Sequence, residues 1–136
     1  MENKYTEQTT NNIVKTTSWK SYKDLIVFKK AKEITLELTR YYSETKLGWT
    51  EKYLIDQLIR SAASIGANLA EGYGRLYKLD YRRFVSISRG SSFELDYWID
   101  LIQVVRKQDQ DFLAGIAKTN IEISKMLTGL MKSLKN

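Results

Sequence analysis

The chain has 136 residues and a net charge of +6, from 22 Lys and Arg against 16 Asp and Glu. This length fits one domain, large enough to bury about two thirds of its unfolded surface, so two independent domains are not expected. Cysteine and histidine are both absent, which excludes disulfides and thiolate metal sites. No run of eighteen apolar residues occurs, and residues 1–20 lack an apolar signal core, so we expect neither a membrane span nor secretion and predict a cytoplasmic protein.

In chain order, residues 1–20 are polar and predict a flexible tail, and residues 21–136 predict a single helical domain. Proline is absent, so long helices can continue without interruption. Apolar residues recur at steps of three and four in four segments, a pattern typical of helices with one buried face. The predicted helices are 22–44, 51–72, 78–107 and 110–134. Because the links between them are short, the sequence predicts an all-α fold, an antiparallel up-and-down four-helix bundle.

The predicted core positions follow the apolar spacing of each helix. In the first two helices they are Val27, Ala31, Ile34, Leu38, Tyr41, Ile55, Leu58, Ala62, Ile65 and Leu69. In the last two they are Phe84, Ser88, Ser91, Leu95, Trp98, Ile102, Val105, Leu113, Ile116, Asn120, Ile123, Leu127, Leu130 and Leu134. The predicted helix caps are a Ser21–Asp24 capping box, Thr50, and Asp109 or Asp111.

Small side chains are concentrated in the second and third helices. The second helix carries Ser, Ala and Gly from Ser61 to Ala70, and the third carries Ser88, Gly90 and Ser91. Small residues allow two helix backbones to approach closely. We therefore predict that these two helices form the tightest pair of the bundle.

The residue types that most catalytic sites need are missing. Without His or Cys, the common nucleophile–base pairs cannot form, and neither can the Glu-x-x-His di-metal site of helical bundles. The carboxylate pairs Glu33/Glu37 and Asp96/Asp100 are interpreted as solvated helix faces. Gly72 and Gly74 follow a helix rather than a strand, which favours a helix stop over a nucleotide-binding loop. The sequence therefore predicts no enzyme activity, no metal and no cofactor.

Glu71 occupies an unfavourable place near the end of the second helix. The carboxyl end of a helix is partly negative, so a carboxylate there costs about 0.3–1 kcal/mol unless a cation is close. We predict that Arg75, Arg82 or Arg83 supplies this cation. A structural ion pair is favoured over a ligand contact.

The most basic stretch of the chain follows Gly74. Between positions 75 and 89, five cations face the single acid Asp80, a local net charge of +4, and the cations are Arg75, Lys78, Arg82, Arg83 and Arg89. Tyr73, Tyr77 and Tyr81 are interleaved with them. Bases can stack on tyrosines while arginines bind phosphates, but the same residues also serve as anchors of protein interfaces. From these residues, a nucleic-acid interface, an oligomer interface and a solvated basic face all stay open.

The segment from Leu58 to Arg75, LIRSAASIGANLAEGYGR, resembles the signature of the 23S rRNA intervening-sequence proteins, also called S23 ribosomal proteins. Its most specific part is Asn68, Ala70, Glu71 and Gly72, interpreted as a structural motif. Residues 22–31 and 81–95 resemble the family's first and third helices. The family commonly has Pro where this chain has Gly66, and Ser near the position of Tyr77.

The resemblance implies a bacterial all-α bundle that forms a ring-like homo-oligomer, with a pentamer expected, and that is encoded within insertions in large-subunit rRNA genes. A related branch serves as the accessory protein of diversity-generating retroelements, where it engages a reverse transcriptase and nucleic acid. No catalytic residue is implied.

Two hypotheses result. The first is an RNA-binding module in which Arg75, Lys78, Arg82, Arg83 and Arg89 contact phosphates while Tyr73 and Tyr77 stack on bases. The second is a homo-oligomeric scaffold whose aromatic surface joins subunits and recruits a protein partner such as a reverse transcriptase, with charge serving mainly solubility.

Overall fold

The computed structural model describes residues 21–135, so the predicted tail of residues 1–20 and the terminal Asn136 lie outside the described residues. Within this range the chain forms four long helices and two short 3₁₀ turns. The turns are Tyr22–Asp24 and Lys107–Asp109. The long helices are α1 (Ile26–Ser43), α2 (Trp49–Tyr73), α3 (Lys78–Val105) and α4 (Gln110–Ser133).

The helices form a square in which each packs against its two neighbours. Contacts join α1 to α2, α2 to α3, α3 to α4 and α4 back to α1, and no contact joins either diagonal pair among the described residues. Successive helices are connected by at most five residues, which makes neighbours antiparallel. The predicted all-α antiparallel four-helix bundle is confirmed.

The first helix begins later than predicted. Residues Tyr22–Asp24 form a 3₁₀ turn, and the backbone of Leu25 is extended before α1 starts at Ile26. This bend places the Leu25 side chain in the core, where only 3% of it is exposed. Ser21 is the N-cap residue of this 3₁₀ turn, and its Oγ accepts a hydrogen bond from the amide of Lys23 at 3.1 Å. The predicted cap at Ser21 is therefore confirmed, although it caps the 3₁₀ turn and not α1.

The predicted cap of α2 is wrong, and that of α4 is right in position only. The cap of α2 is Gly48, whose amide donates to Glu51 Oε1 at 3.0 Å, and Thr50 lies inside the helix. Asp109 is the N-cap residue of α4, one of the two predicted positions, but its carboxylate makes no cap hydrogen bond. It is buried, with 1% exposure, because other side chains bind it. Asp111 lies exposed in the first turn.

The predicted core is confirmed along α2 and, except for the half-buried Leu130, along α4. On α1, Tyr42 is more deeply buried than the predicted Tyr41. On α3, Phe84 and Trp98 are only half-buried, Val105 is exposed, and the deepest positions include residues that the prediction left out, Tyr81, Val85 and Ile99. The reason is that α3 packs most extensively of all, against α2 and α4, so its buried face is wider than one stripe.

The predicted close pairing of α2 and α3 is confirmed as the most extensive contact of the bundle. Ser88 Oγ donates to the Ile65 carbonyl at 2.9 Å, and the Ser64 and Ser91 hydroxyls lie 2.8 Å apart. Not every small residue serves this contact. Gly66 faces α1 instead, and a Cβ at Gly90 would meet nothing within 4 Å among the described residues.

A buried polar pair joins α3 to α4. Ser92 Oγ donates to Asn120 Oδ1 at 2.7 Å, and Asn120 Nδ2 donates to the Ser92 carbonyl at 2.8 Å. Asn120 is therefore a satisfied polar member of the apolar seam, and the pair fixes the register of the two helices.

One end of the bundle is tied together by a buried ionic network. Asp109 accepts hydrogen bonds from Tyr41 at 2.7 Å, Tyr42 at 3.0 Å and Arg106 Nε at 2.6 Å. Arg106 Nη1 also donates to Glu51 Oε2 at 2.8 Å. Since these residues come from α1, from α2 and from the connection between α3 and α4, a single network joins all four helices.

The network controls the ionisation of Asp109. Burial acts to raise the pKa of Asp109, but its three hydrogen bonds outweigh that effect, and the pKa lies below the usual value of a carboxyl group. A lowered folded-state pKa stabilises the protein above the unfolded pKa of about 3.9, and this stabilisation is lost as the pH falls through the folded-state pKa.

The first prediction concerns Asp109. We expect Asp109→Asn to lower the free energy of unfolding at pH 7 by about 3 kcal/mol, because the buried guanidinium of Arg106 loses its buried carboxylate partner and keeps only the more exposed Glu51. The difference from the wild type should shrink below about pH 4. Urea unfolding followed by circular dichroism at several pH values measures this. The matched control is Asp111→Asn, and equal pH profiles of the two variants would contradict the prediction.

The second prediction concerns Gly72. A Cβ at this position would lie 2.6 Å from Phe84 Cβ and 3.2 Å from Tyr81 Cδ1, so α3 would have to move away. We expect Gly72→Ala to cost about 1–3 kcal/mol of stability. Gly90→Ala is the control and should stabilise by up to about 1 kcal/mol through helix propensity. Urea unfolding in which Gly72→Ala is neutral would contradict this account.

Candidate nucleic-acid interface

The basic stretch lies at the end of the bundle opposite the Asp109 network. Helix α2 ends where the amide of Gly74 donates to the Ala70 and Glu71 carbonyls, both at 3.1 Å. A short connection follows, and Tyr77 is the N-cap residue of α3. The N-terminus of α1 and the C-terminus of α4 lie at the same end because neighbours are antiparallel. The basic residues therefore occupy a corner where chain segments converge.

Three of the five predicted cations lie over aromatic rings, Arg75 and Arg83 over Phe84 and Arg89 over Phe93 at 4.8 Å. The guanidinium carbon of Arg75 lies 4.9 Å from the centre of the Phe84 ring, and that of Arg83 lies 5.8 Å from it. Arg75 Nη2 also pairs with Glu71 Oε2 at 2.9 Å, which confirms that a cation balances Glu71. Both partners are about half exposed, 47% and 55%, so this pair stabilises the fold little. Arg75 and Arg83 are both exposed to solvent.

Three cations, Arg89 among them, contact the C-terminal end of α4, which we define to include Leu134 and Lys135 after its last helical residue, Ser133. Lys78 Nζ donates to the Lys135 carbonyl at 3.2 Å, and Arg82 Nε donates to the Met131 carbonyl at 3.4 Å. Arg89 lies about two helical turns after Arg82 on α3. Its Nε donates to Thr128 Oγ1 at 2.9 Å. Cations at the carboxyl end of a helix are favourable because that end is partly negative. These three residues therefore have a structural role that Arg75 and Arg83 lack.

The three interleaved tyrosines differ in exposure. Tyr77 is 64% exposed. Tyr73 is half-buried, with its ring 6.0 Å from that of Tyr22 and 5.9 Å from that of Tyr81. Tyr81 is 2% exposed, and burial raises the pKa of its hydroxyl above the usual value, so it stays neutral. Among the three, Tyr77 alone presents an open ring, and stacking on Tyr81 is excluded by its burial.

The described residues 21–135 contain no group of three or more acidic side chains placed to hold a metal ion. Nor is any helix in this part of the chain both long and apolar enough to cross a membrane.

The sequence of residues 23–129 matches the model of the family described as 23S rRNA-intervening sequence protein. The chain belongs to this family. Among solved structures, it is similar to the crystal structure of a protein of unknown function from the S23 ribosomal protein family of Bacteroides thetaiotaomicron, with a TM-score of 0.69 and 24% identity. The alignment covers 79% of this chain and 99% of that one, and at this identity it supports the fold alone. No match was found among curated proteins.

The motif that this chain shares with the intervening-sequence family has structural contacts. Asn68 Nδ2 donates to the Ser64 carbonyl at 2.8 Å and to Ser64 Oγ at 2.9 Å. Gly72 provides the close approach of α3, and Glu71 pairs with Arg75. Tyr77, the N-cap residue of α3, makes no side-chain cap hydrogen bond. The motif therefore positions the basic corner rather than forming a chemical site.

Sequence reasoning missed the contribution of α4 to this corner. Lys135 and Arg82 line a shallow pocket of about 240 Å³ together with Leu79 and Leu134. The exposed Lys132 lies in the last turn of the same helix. Lys132 and Lys135 lie about fifty positions after Arg82 in the sequence, so a count of charges along the chain does not group them with it. The bundle topology, with the end of α4 beside the start of α3, was the signal that could have joined them.

The third prediction separates the two groups of cations. We expect Arg82→Gln to lower the free energy of unfolding by about 0.3–1 kcal/mol, because it removes a cation from the C-terminus of α4. Arg83→Gln removes the same charge one residue away but makes no contact with α4, and should leave stability unchanged within about 0.5 kcal/mol. Urea unfolding of the two variants side by side measures this. Equal destabilisation would show that the contact of Arg82 has no special role.

Proposed function

We propose that this protein binds RNA through the basic corner without catalysing a reaction and without a cofactor. The observation that carries the proposal is the exposed pair Arg75 and Arg83, both over the ring of Phe84, with the open ring of Tyr77 nearby in sequence. Arginines bind phosphates, and open tyrosine rings stack on unpaired bases. Membership of a family named for an insertion in 23S rRNA makes RNA the favoured nucleic acid.

The cations of the corner have unequal parts in this proposal. Arg75 and Arg83 make the direct phosphate contacts, because only their weak surface interactions must be replaced. Lys78, Arg82 and Arg89 mainly add to the positive potential, since each already donates a hydrogen bond to α4. Tyr73 supports the corner by packing against Tyr22 and Tyr81, and Tyr77 stacks on unpaired bases.

We further propose that the protein acts as a homo-oligomer, for which the family resemblance implies a ring and specifically a pentamer. Repeating one basic corner around a ring would convert weak phosphate contacts into strong binding, since later contacts become intramolecular.

The fourth prediction is the direct test. Fluorescence anisotropy with a structured RNA should show binding that weakens steeply between about 50 and 200 mM salt. Arg75→Ala with Arg83→Ala should weaken binding and reduce the slope of log K against log salt by at least about 1.4, the loss expected for two contacts to single strands. The matched control is Lys118→Ala with Lys125→Ala, which removes equal charge from exposed positions of α4.

Equal effects of the two double variants would mean that only net charge matters and that the corner is no specific site. Absence of binding at low salt would reject RNA binding altogether.

A second candidate function is a scaffold that recruits a protein partner, such as a reverse transcriptase. It is favoured by the exposed aromatic side chains at the other end of α2, where Trp49 is 87% exposed and Tyr53 is 57% exposed. Tyr and Trp are enriched at the energetic centres of protein interfaces. A stable assembly with no affinity for RNA in the same titration would favour this candidate.

A further inference from the structure

A groove of about 290 Å³ lies on the outer face between α1 and α2. Its floor on α2 is made of small side chains, including Ala63, Ala67 and Ala70. Its wall on α1 includes Phe28, Lys32 and Leu36. Small residues spaced by four and three along α2 leave recesses that side chains of another helix can fill. We call this surface the α1–α2 groove.

An apolar stripe runs along the outside of α3. Phe93, Tyr97 and Val104 are 55%, 58% and 69% exposed. Their spacing by four and seven residues places them on one face of the helix, opposite the buried Ile99 and Leu95. Helices of monomeric proteins rarely expose such a row of large apolar side chains. We call this surface the outer stripe.

The charges beside the two surfaces are complementary. Lys32 lines the groove and Lys29 lies one turn before it, whereas Asp96 and Asp100 border the outer stripe, where Arg89 also lies over the Phe93 ring at 4.8 Å. The two lysines and the two aspartates are all exposed, and none of them forms an ion pair within residues 21–135. Of the acids of α1, Glu33 lies one turn from both Lys29 and Lys30, and Glu37 lies on the helix face of Lys30, which pairs with Glu122 of α4.

The two surfaces lie on opposite sides of the bundle. Helix α3 is diagonal to α1, so the outer stripe points away from the α1–α2 groove. A chain cannot fill its own groove with its own stripe. When one copy docks its stripe into the groove of another, the first copy keeps a free groove and the second keeps a free stripe. Such a head-to-tail contact continues from copy to copy and closes into a ring if the rotation allows.

We infer that the outer stripe of one copy of this chain docks into the α1–α2 groove of the next copy, with Asp96 and Asp100 facing Lys29 and Lys32. The inference rests on the homo-oligomer of the proposed function and names the two surfaces that form it. Phe93 and Tyr97 are the central anchors, because they are four residues apart and match the spacing of the alanines in the groove.

The fifth prediction tests these surfaces with two complementary variants measured by sedimentation velocity and light scattering. Tyr97→Glu disables the stripe and keeps the groove, and Ala67→Glu disables the groove and keeps the stripe. We expect the wild type to assemble, each variant alone to be a monomer, and an equimolar mixture to form a one-to-one dimer. Ile121→Glu, at an exposed apolar position of α4, should assemble like the wild type.

Several results would overturn the inference. The first two are a wild type that is monomeric and a mixture that stays monomeric. The third is an Ala67→Glu variant that still assembles, because this would mean that stripes pair with stripes or that the groove has another occupant. Both substituted positions are exposed, and circular dichroism checks that the helices are retained.

A charge exchange provides an independent arm. Lys29→Glu with Lys32→Glu should weaken assembly by about tenfold, and adding Asp96→Lys with Asp100→Lys in the same chain should restore it. No restoration would overturn the proposed orientation.

The same samples separate this inference from RNA binding. The monomeric variants keep Arg75 and Arg83, so they should bind a short RNA with weaker affinity but an unchanged salt slope per chain. If the variants lose assembly as expected but the wild type binds no RNA, the RNA proposal is rejected and the proposed interface still stands.

Discussion

The close approach of α3 to the last turn of α2 at Gly72 is the constraint on which the candidate site depends. Because the glycine has no Cβ, Phe84 and Tyr81 can lie directly against the α2 backbone. The chain then needs only a four-residue connection to reverse direction. That reversal brings both Arg75 and Arg83 over the Phe84 ring. Packing and electrostatics at this corner are therefore consequences of one missing side chain.

The two ends of the bundle use charge in opposite ways. At the Asp109 end, charged and phenolic groups are buried and bind one another, so they contribute to holding the four helices together. At the basic corner, Arg75 and Arg83 stay exposed, with interactions that water or another anion can replace. The polarity of the molecule follows from this difference: one end satisfies its charges internally, and the other leaves cations available to a partner.

The sequence predicted the bundle and the α2–α3 pairing because both depend on local spacing. It also predicted an ion pair that balances the charge of Glu71, since Arg75 is one helical turn away. It failed where a residue's environment comes from a distant segment. Asp109 or Asp111 was expected to cap α4, yet the carboxylate of Asp109 makes no cap hydrogen bond and is bound by Tyr41 and Tyr42, nearly seventy positions earlier. The five cations were expected to act together, but three of them donate to atoms of α4 that lie 39 to 57 residues away.

The hydrogen bonds from Lys78 and Arg82 to the last carbonyls of α4 have a thermodynamic consequence. A polyanion that draws these cations towards itself must release the carbonyls of Lys135 and Met131 to water. Occupancy of the corner and fraying of the final turn of α4 are then linked equilibria, and each shifts the other by the same free energy. The C-terminal turn would thus report the bound state through faster exchange of its amide protons, at a place that no ligand needs to touch.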